Sequence, residues 1–452
     1  MAFIPGGGIG QQTNLPPATH HRFIEEGAFF WSRRSDLASA LVSGLGELAR
    51  LDRKLEAAIE LMLLNPDSSQ AICMELIEED TSGSFSMAAS LAILSNNRKL
   101  LDRLIAMADA EEERQRELAT ALAWLPFNEV RDLIRSRLLF ENSSPIRQAS
   151  IRALRQHRQL PEQIPWERLF TDAPESRSDI IRLIGEKHLI EYRPALERLL
   201  NTDPACATWA LCLLGAGVEL RPLLDGTREG SFPAPLGLPI ALGLMNAEEQ
   251  ESWIDRLISH PETLALAIEA IGISGRPNGV ERLFESYASS RSLRVRKQVA
   301  HAYSRITGYY PKLEKKGSTV EPAETGDAAS FDEDADEELL SVTPIDFLER
   351  PDFEKMKAWW QNNRQRFEPG QAYRLGQPLT PPHRRQQLVT GPQDIRGIAA
   401  LEIARTGHGP VFPVRAQVWR QYAMLKEYVP EVEATSFESV LTFGRSAQRT
   451  LR

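Results

Sequence analysis

Cysteines and long apolar runs are scarce in this chain of 452 residues. The three cysteines, Cys73, Cys206 and Cys212, are too few and too scattered for a disulfide framework or a zinc site. We interpret them as small buried residues in a reducing compartment. Apolar runs such as 61–64 and 211–214 fall far short of the roughly 18 residues that a membrane span needs. The N-terminal sequence also lacks the basic and apolar regions of a secretory signal, so we expect a cytoplasmic protein with no membrane partner.

Signatures of catalysis, metal binding and cofactor binding are absent from the sequence as well. The eight histidines form no H-E-x-x-H or H-x3-H pattern, and there is no Walker or G-x-S-x-G motif. His157, His188 and His301 fall at predicted helix ends, where structural roles predominate. We therefore predict no catalytic residue, no metal ligand and no cofactor, and we expect that the protein is not an enzyme.

A short apolar phrase ending in glycine recurs along the middle of the chain. Successive glycines are separated by 30, 28, 29 and 36 residues. A repeat of this length predicts stacked units, each of which buries its apolar face against its neighbours. The repeated glycines are Gly185, Gly215, Gly243, Gly272 and Gly308. We expect Gly185, Gly215 and Gly272 to end helices as left-handed caps.

The unit SPIRQASIRALRQH, which begins at Ser144, carries the helical pattern most clearly. Pro145 falls where the first turn of a helix tolerates proline. Helical spacing predicts a buried stripe made of Ile146, Ala149, Ala153 and Leu154. The proline, the I-R pair and the A-x-x-x-A-L core resemble the first helix of HEAT repeats, over roughly residues 34–310. HEAT arrays are helical-hairpin stacks that serve many partners, so this resemblance implies architecture and leaves function open.

The predicted fold is therefore all-α. We expect an irregular lead-in over residues 1–30, a HEAT-like solenoid of helical hairpins over 31–311, a flexible acidic insert or linker over 312–345, and a smaller C-terminal helical lobe over 346–452.

One segment accounts for the net charge of −9. Residues 317–349 carry eleven acids and no lysine or arginine, whereas residues 1–316 sum to −5 and residues 350–452 to +7. Six of these acids fall within seven positions: Asp332, Glu333, Asp334, Asp336, Glu337 and Glu338. Such a segment buries too little apolar area to offset its ordering entropy, which favours a soluble linker. The alternative is electrostatic recognition of a partner with a basic surface, through fast and salt-sensitive association.

Clustered arginines raise the further alternative of nucleic-acid binding, as in HEAT-like DNA glycosylases. Arg147, Arg152, Arg155 and Arg158 share one unit. The repeat region is net acidic, however, and phosphate backbones require many uncompensated cations. We interpret these arginines as solvated helix faces with acidic partners, and we expect no direct binding of nucleic acid.

Two C-terminal phrases add a more specific resemblance. FEPGQAYRLGQPLT from Phe367 and DIRGIAALEIA from Asp394, together with the helical array, resemble a family of HEAT-containing proteins encoded beside type VI secretion genes in Gram-negative bacteria. The resemblance implies a non-enzymatic immunity protein that neutralises a cognate effector, for example a nuclease toxin, by stoichiometric binding. It carries over no catalytic or binding residue. An effector adaptor or chaperone is the first alternative, and a HEAT-type DNA-processing enzyme is the second.

Overall fold

The computed structural model of the chain describes residues 16–140, 143–157, 159–162, 164, 166–172, 174–312, 344–407 and 409–428. These residues are mostly helical, and within them the only sheet has two strands of two residues each. The predicted all-α class is confirmed at this level. None of the described helices combines the length and apolar character that a bilayer crossing requires.

The helices and strands run as follows: α1 Pro17–Ser39, α2 Leu45–Leu64, α3 Pro66–Glu78, α4 Ser84–Leu94, α5 Arg98–Ala110, α6 Glu112–Trp124, α7 Phe127–Ser136, α8 Ser144–Gln156, α9 Trp166–Asp172, α10 Arg177–Lys187, α11 Arg193–Leu199, α12 Pro204–Leu213, α13 Arg221–Arg228, α14 Ala234–Leu244, α15 Ala247–Ile258, α16 Leu264–Ser274, α17 Gly279–Ser289, α18 Leu293–Thr307, α19 Phe353–Asn363, β1 Tyr373–Arg374, β2 Gln377–Pro378, α20 Pro381–Thr390, α21 Gln393–Gly407 and α22 Val418–Tyr428.

The chain divides into two compact units. The first unit comprises Met1–Leu223 and Arg385–Arg452, and the second comprises Leu224–Arg384. The range 346–452, expected to form one C-terminal lobe, is therefore shared between the two units. The physical reason lies in its apolar side chains: Leu388 and Leu425, for example, are buried in a core that contains residues of α1 and α2.

The first helix begins at Pro17, inside the range 1–30 for which the sequence predicts an irregular lead-in. This expectation is corrected from Pro17 onward. Proline is well tolerated in a first helical turn because its missing N–H would have no intrahelical partner there. Ile24, Ala28 and Trp31 then recur at three- and four-residue spacing and are buried, which gives the helix an apolar face to pack.

Alternate helices of the first unit pack in series. Helix α4 contacts α6, α6 contacts α8, α8 contacts α10, and α10 contacts α12. In α8, Ser143 caps the first turn by accepting from the Ile146 amide at 3.3 Å, and Pro145 follows it as predicted. The stripe of Ile146, Ala149, Ala153 and Leu154 is buried, which confirms that prediction.

The repeated glycines divide into two kinds. Gly215 and Gly308 have φ of +74° and +75° and follow α12 and α18, so Gly215 is a left-handed helix end as expected. Gly185 and Gly272 lie inside α10 and α16, so the predicted cap is wrong for both.

Those two internal glycines serve close helix packing. A Cβ on Gly185 would lie 3.0 Å from the Cα of Ala210 in α12, and one on Gly272 would lie 2.9 Å from the Cα of Ala302 in α18. Real Cβ atoms essentially never show the contact at Gly272, and the contact at Gly185 is tighter than nine in ten real ones, so the absence of a side chain lets neighbouring helices touch. The repeated glycines therefore mark close contacts between helices as well as the ends of helices.

The C-terminal residues of the first unit return to its N-terminal helices. Helix α21 contacts α1 and α12, and α22 contacts α2. The fully buried Asp52 of α2 accepts from Trp124 Nε1 at 2.9 Å, from the Val418 amide at 2.7 Å and from Arg34 Nε. A buried carboxylate therefore joins two early helices to the start of α22.

In the second unit, α14, α16 and α18 pack in series, and a short hairpin lies against the ends of the last two. Strands β1 and β2 pair antiparallel, with Arg374 opposite Gln377. The Tyr373 amide donates to Gly275 O at 2.7 Å, and the Leu375 amide donates to Arg305 O at 2.7 Å. The phrase from Phe367 is thus fixed by backbone hydrogen bonds.

Candidate functional site

The six acids of the predicted partner-binding segment lie outside the described residues, and so do most of the residues of the acidic insert. They are Asp332, Glu333, Asp334, Asp336, Glu337 and Glu338. Their role stays a prediction. Among the residues that the structure describes, no three His, Cys, Asp or Glu side chains are grouped so as to hold a metal ion.

The arginines of α8 have acidic partners one repeat further along the chain. Arg147 Nη1 lies 2.7 Å from Glu175 Oε1, Arg152 Nε lies 3.3 Å from Asp179 Oδ2, and Arg155 Nε lies 2.7 Å from Glu186 Oε2. The expected acidic partners are confirmed for these three residues. The expected solvated face is wrong for Arg147 and Arg155, whose side chains are only 11% and 13% exposed. Arg158 lies outside the described residues.

Arg155 and Glu186 form a buried two-point ion pair. Arg155 Nη2 also donates to Glu186 Oε1, so the guanidinium and the carboxylate meet in the fork geometry that both favour. Burial alone would lower the pKa of Arg155, but the charge of Glu186 and its hydrogen bonds outweigh burial and raise it. For Glu186, burial is likewise outweighed by Arg155, and the pKa of the carboxyl is lowered. Both groups are charged at neutral pH.

Lys187 and Arg420 add two further cations beside this pair. Lys187 Nζ donates to Arg155 O at 2.8 Å and also to His157 O, and burial lowers its pKa to about 8 against the opposing charge of Glu186. Arg420 Nη1 donates to His157 Nδ1 at 2.7 Å. Helix α22 therefore brings Arg420 onto the end of α8.

His157 is held in one neutral tautomer by its two partners. Its Nε2 lies 2.9 Å from Leu122 O, which can only accept, and its Nδ1 faces Arg420, which can only donate. The proton is therefore on Nε2. Burial and the charge of Arg420 lower the pKa of His157 to about 3. The structural role expected for this histidine is consistent with these contacts.

Arg182 and Arg415 complete the group and differ from the other cations. Burial lowers the pKa of Arg182 to about 10, and the nearby charge of Arg155 adds to the effect. The pKa of Arg415 is lowered by desolvation and by the same Arg155. In the part of the chain that the structure describes, neither side chain has a hydrogen bond or an ion pair, and Arg182 Nε is buried without a partner.

We call this group the cationic cluster. It consists of six residues: Arg152, Arg155, Arg182, Lys187, Arg415 and Arg420. Asp179 and Glu186 are the two carboxylates that pair with it, which leaves a formal excess of four positive charges. The chemistry this arrangement favours is the binding of an anion, because guanidinium forks match the oxygens of carboxylate and phosphate.

The cysteines offer no nucleophile to this cluster. Burial raises the pKa of Cys206, on α12, well above its ordinary value, and the thiols of Cys73 and Cys212 are raised to about 12 in the same way. A thiol is reactive as its thiolate, so these groups are inert at neutral pH. The prediction that all three are buried is confirmed.

Sequence reasoning found two of the six residues of this cluster and missed the other four. Arg152 and Arg155 stood out as clustered arginines. Their acidic partners lie 27 and 31 residues away, which is close to the spacing of the glycine phrases. Opposite charges at this separation are therefore the sequence signal from which such ion pairs could be predicted. Arg415 and Arg420 follow more than 200 residues later, and no local pattern places them beside α8.

Comparison with protein-family models, with curated proteins and with solved structures finds no match to this chain.

Proposed function

We propose that this protein is a HEAT-type helical array that binds another protein, and that it acts as an immunity protein by forming a stoichiometric complex with a cognate type VI effector, for example a nuclease toxin. The proposal places the protein in the cytoplasm, without a cofactor and without catalytic activity of its own. The resemblance of its helical repeats and C-terminal phrases supports the finer part of the proposal.

The observation that supports the architecture best is the serial packing of alternate helices. Helices α4, α6, α8, α10 and α12 contact one another in order, and α14, α16 and α18 do the same in the second unit. Such packing is what helical hairpins produce when they stack in one direction. Stacked hairpins offer extended surfaces, and a tight inhibitor interface needs on the order of 1,600 Å² in total.

The charge of the acidic insert supports the proposal that the partner has a basic surface. Six acids in seven positions, from Asp332 to Glu338, provide a dense negative charge that would speed the encounter with a cationic surface. A nuclease carries such a surface because it binds phosphate backbones. Occlusion of that surface would neutralise the toxin.

The test is co-expression of the full chain with the effector encoded beside its gene. We expect the protein to restore the growth of cells that express the effector, and the purified pair to form a complex of fixed stoichiometry. Failure to bind the effector contradicts the proposal. Binding without restored growth favours the adaptor or chaperone, and turnover of modified DNA by the purified protein favours the enzyme.

The role of the insert is tested by replacing its six clustered acids with Asn or Gln. We expect the association rate to fall at least tenfold, with a weaker dependence on salt, because electrostatic steering is lost. A matched control replaces six exposed acids of the first unit: Glu25, Glu75, Glu79, Glu111, Glu112 and Glu113. Equal rates for the two variants would contradict recognition by the insert and favour a linker.

A further inference from the structure

We infer that the cationic cluster is a binding site for a phosphate group carried by a small soluble molecule. The inference concerns the first unit alone and does not depend on the identity of a protein partner.

Three segments of the first unit converge on this site. Helix α8 supplies Arg152 and Arg155, the adjacent helix α10 supplies Arg182 and Lys187, and the chain around α22 supplies Arg415 and Arg420. The Val411 amide donates to Glu186 O at 2.7 Å, which fixes the start of that last segment against α10. The tertiary fold therefore holds these cations next to one another.

The two carboxylates of the site are already engaged. Glu186 accepts from Arg155 at both oxygens, and Asp179 lies 3.3 Å from Arg152 Nε and 3.7 Å from Arg155 Nη1. Lys187 is satisfied by two backbone carbonyls. Within the described residues, these contacts leave no carboxylate to pair with Arg182 or Arg415.

Arg182 and Arg415 are attracted by these carboxylates, but neither side chain forms a hydrogen bond or an ion pair with them in the described structure. Buried polar groups are almost always hydrogen-bonded, so the unbonded Nε of Arg182 points to a missing acceptor. Arg420 Nε is buried without a partner as well. Both Arg182 and Arg415 are close enough to Arg155 to be destabilised by its charge, and an oxyanion among them would relieve that repulsion.

The accessibility of Arg415 indicates how a ligand would reach the site. Its side chain is exposed to water, and desolvation nevertheless lowers its pKa. Water therefore reaches this cation of the cluster. Such a position admits a small anion that can place its oxygens between several guanidinium groups.

The charge of the site favours a phosphate group over a single carboxylate. An excess of four positive charges is better matched by a phosphate dianion or a pyrophosphate than by one acidic side chain. A long polyanion is disfavoured because residues 1–316 sum to −5, so the cluster is a local exception on an acidic chain. A terminal phosphate is therefore the ligand chemistry that fits.

The experiment is isothermal titration calorimetry of the full chain at constant ionic strength with pyrophosphate, with inorganic phosphate and with a short DNA duplex. We expect saturable binding of pyrophosphate or phosphate, accompanied by a higher unfolding temperature because the ligand binds the folded state. The variants Arg182→Gln and Arg415→Gln should each weaken this binding at least tenfold. Arg103→Gln, which changes an exposed arginine of α5, should leave it unchanged.

The Arg415→Gln variant also distinguishes a loss of binding from a loss of folding. Its side chain is exposed and has no hydrogen bond in the described structure, so Arg415→Gln should unfold at the same temperature as the natural chain without ligand. Three results would each overturn the inference: no saturable binding of phosphate or pyrophosphate, equal binding by the Arg415→Gln variant, or binding of the duplex alone.

Discussion

The two units attach their C-terminal residues to their helices by different chemistry. In the first unit an apolar core is accompanied by buried charges: Asp52 of α2 accepts from the Val418 amide of α22, and Arg34 of α1 donates to Ala416 O at 3.1 Å. In the second unit aromatic rings and backbone hydrogen bonds predominate, beside the buried Arg374, which donates to Ile273 O at 3.1 Å. Tyr287 and Phe353 stack with centroids 4.1 Å apart.

The difference teaches how each attachment depends on its surroundings. A buried charge is stabilising only while every partner is in place, because a lone charge in the protein interior is costly. Ring stacking and backbone hydrogen bonds do not depend on pH in the neutral range. They require close approach of the backbone, which glycines of the second unit permit because they have no Cβ. We therefore expect the first unit to be sensitive to charge and pH, and the second unit to be sensitive to added atoms.

The largest effect is expected from Asp52→Ala in the first unit. The change leaves Arg34 buried without its carboxylate and also removes the acceptor of Trp124 Nε1, so the free energy of unfolding should fall by about 3–5 kcal/mol. Glu26→Ala breaks the exposed pair with Arg22 and should cost less than about 1 kcal/mol. Urea unfolding monitored by hydrogen exchange reports the stability of each unit separately, and it measures the change in unfolding free energy for both variants. Similar losses for the two variants would contradict the comparison.

A glycine pair tests the second unit. Gly275 has φ +68°, and a Cβ there would lie 2.3 Å from Tyr373 O, whereas Gly230 has φ +77° and open space around it. Gly230→Ala should cost about 1–2 kcal/mol from the left-handed backbone alone. Gly275→Ala should cost about 1–3 kcal/mol more, because the hairpin must move away. If the two alanine variants are equally stable, the close contact contributes nothing.

The smallest effect is expected from pH. The pKa of His157 falls from 6.5 to about 3 on folding, so between these values the unfolded chain binds a proton that the folded chain does not. The stabilisation is present above pH 6.5 and is lost progressively as the pH falls toward 3, by about 2 kcal/mol at pH 5. Urea midpoints of the first unit at pH 7 and pH 5 measure this loss. His157→Gln should reduce it, and His21→Gln, a half-exposed control, should not.

Helix positions could be predicted wherever one chain segment contains its own signal. Ser143 and Pro145, for example, mark the start of α8. Gly185 and Gly272 were misassigned because a glycine inside a helix and a glycine at its end look alike in sequence. The distinction depends on Ala210 and Ala302, which belong to the next stacked helix.

The candidate site could be predicted from the sequence only in part. Arg152 and Arg155 were visible as a cluster, and their partners Asp179 and Glu186 lie within one repeat. Burial of Arg155 and the missing partners of Arg182 and Arg415 are properties of the folded chain, since they depend on which groups approach one another and on how much water remains.

The sequence by itself determined the helical class, the start of α8 and the three buried cysteines, because propensity, capping and apolar spacing act within a few residues of the chain. Tertiary structure alone decided that residues 385–428 return to the first helices, and it alone made Asp52 and the cationic cluster into buried assemblies of charge. The physical reason is distance along the chain: an electrostatic interaction depends on separation in space, and residues some 370 positions apart acquire theirs only on folding.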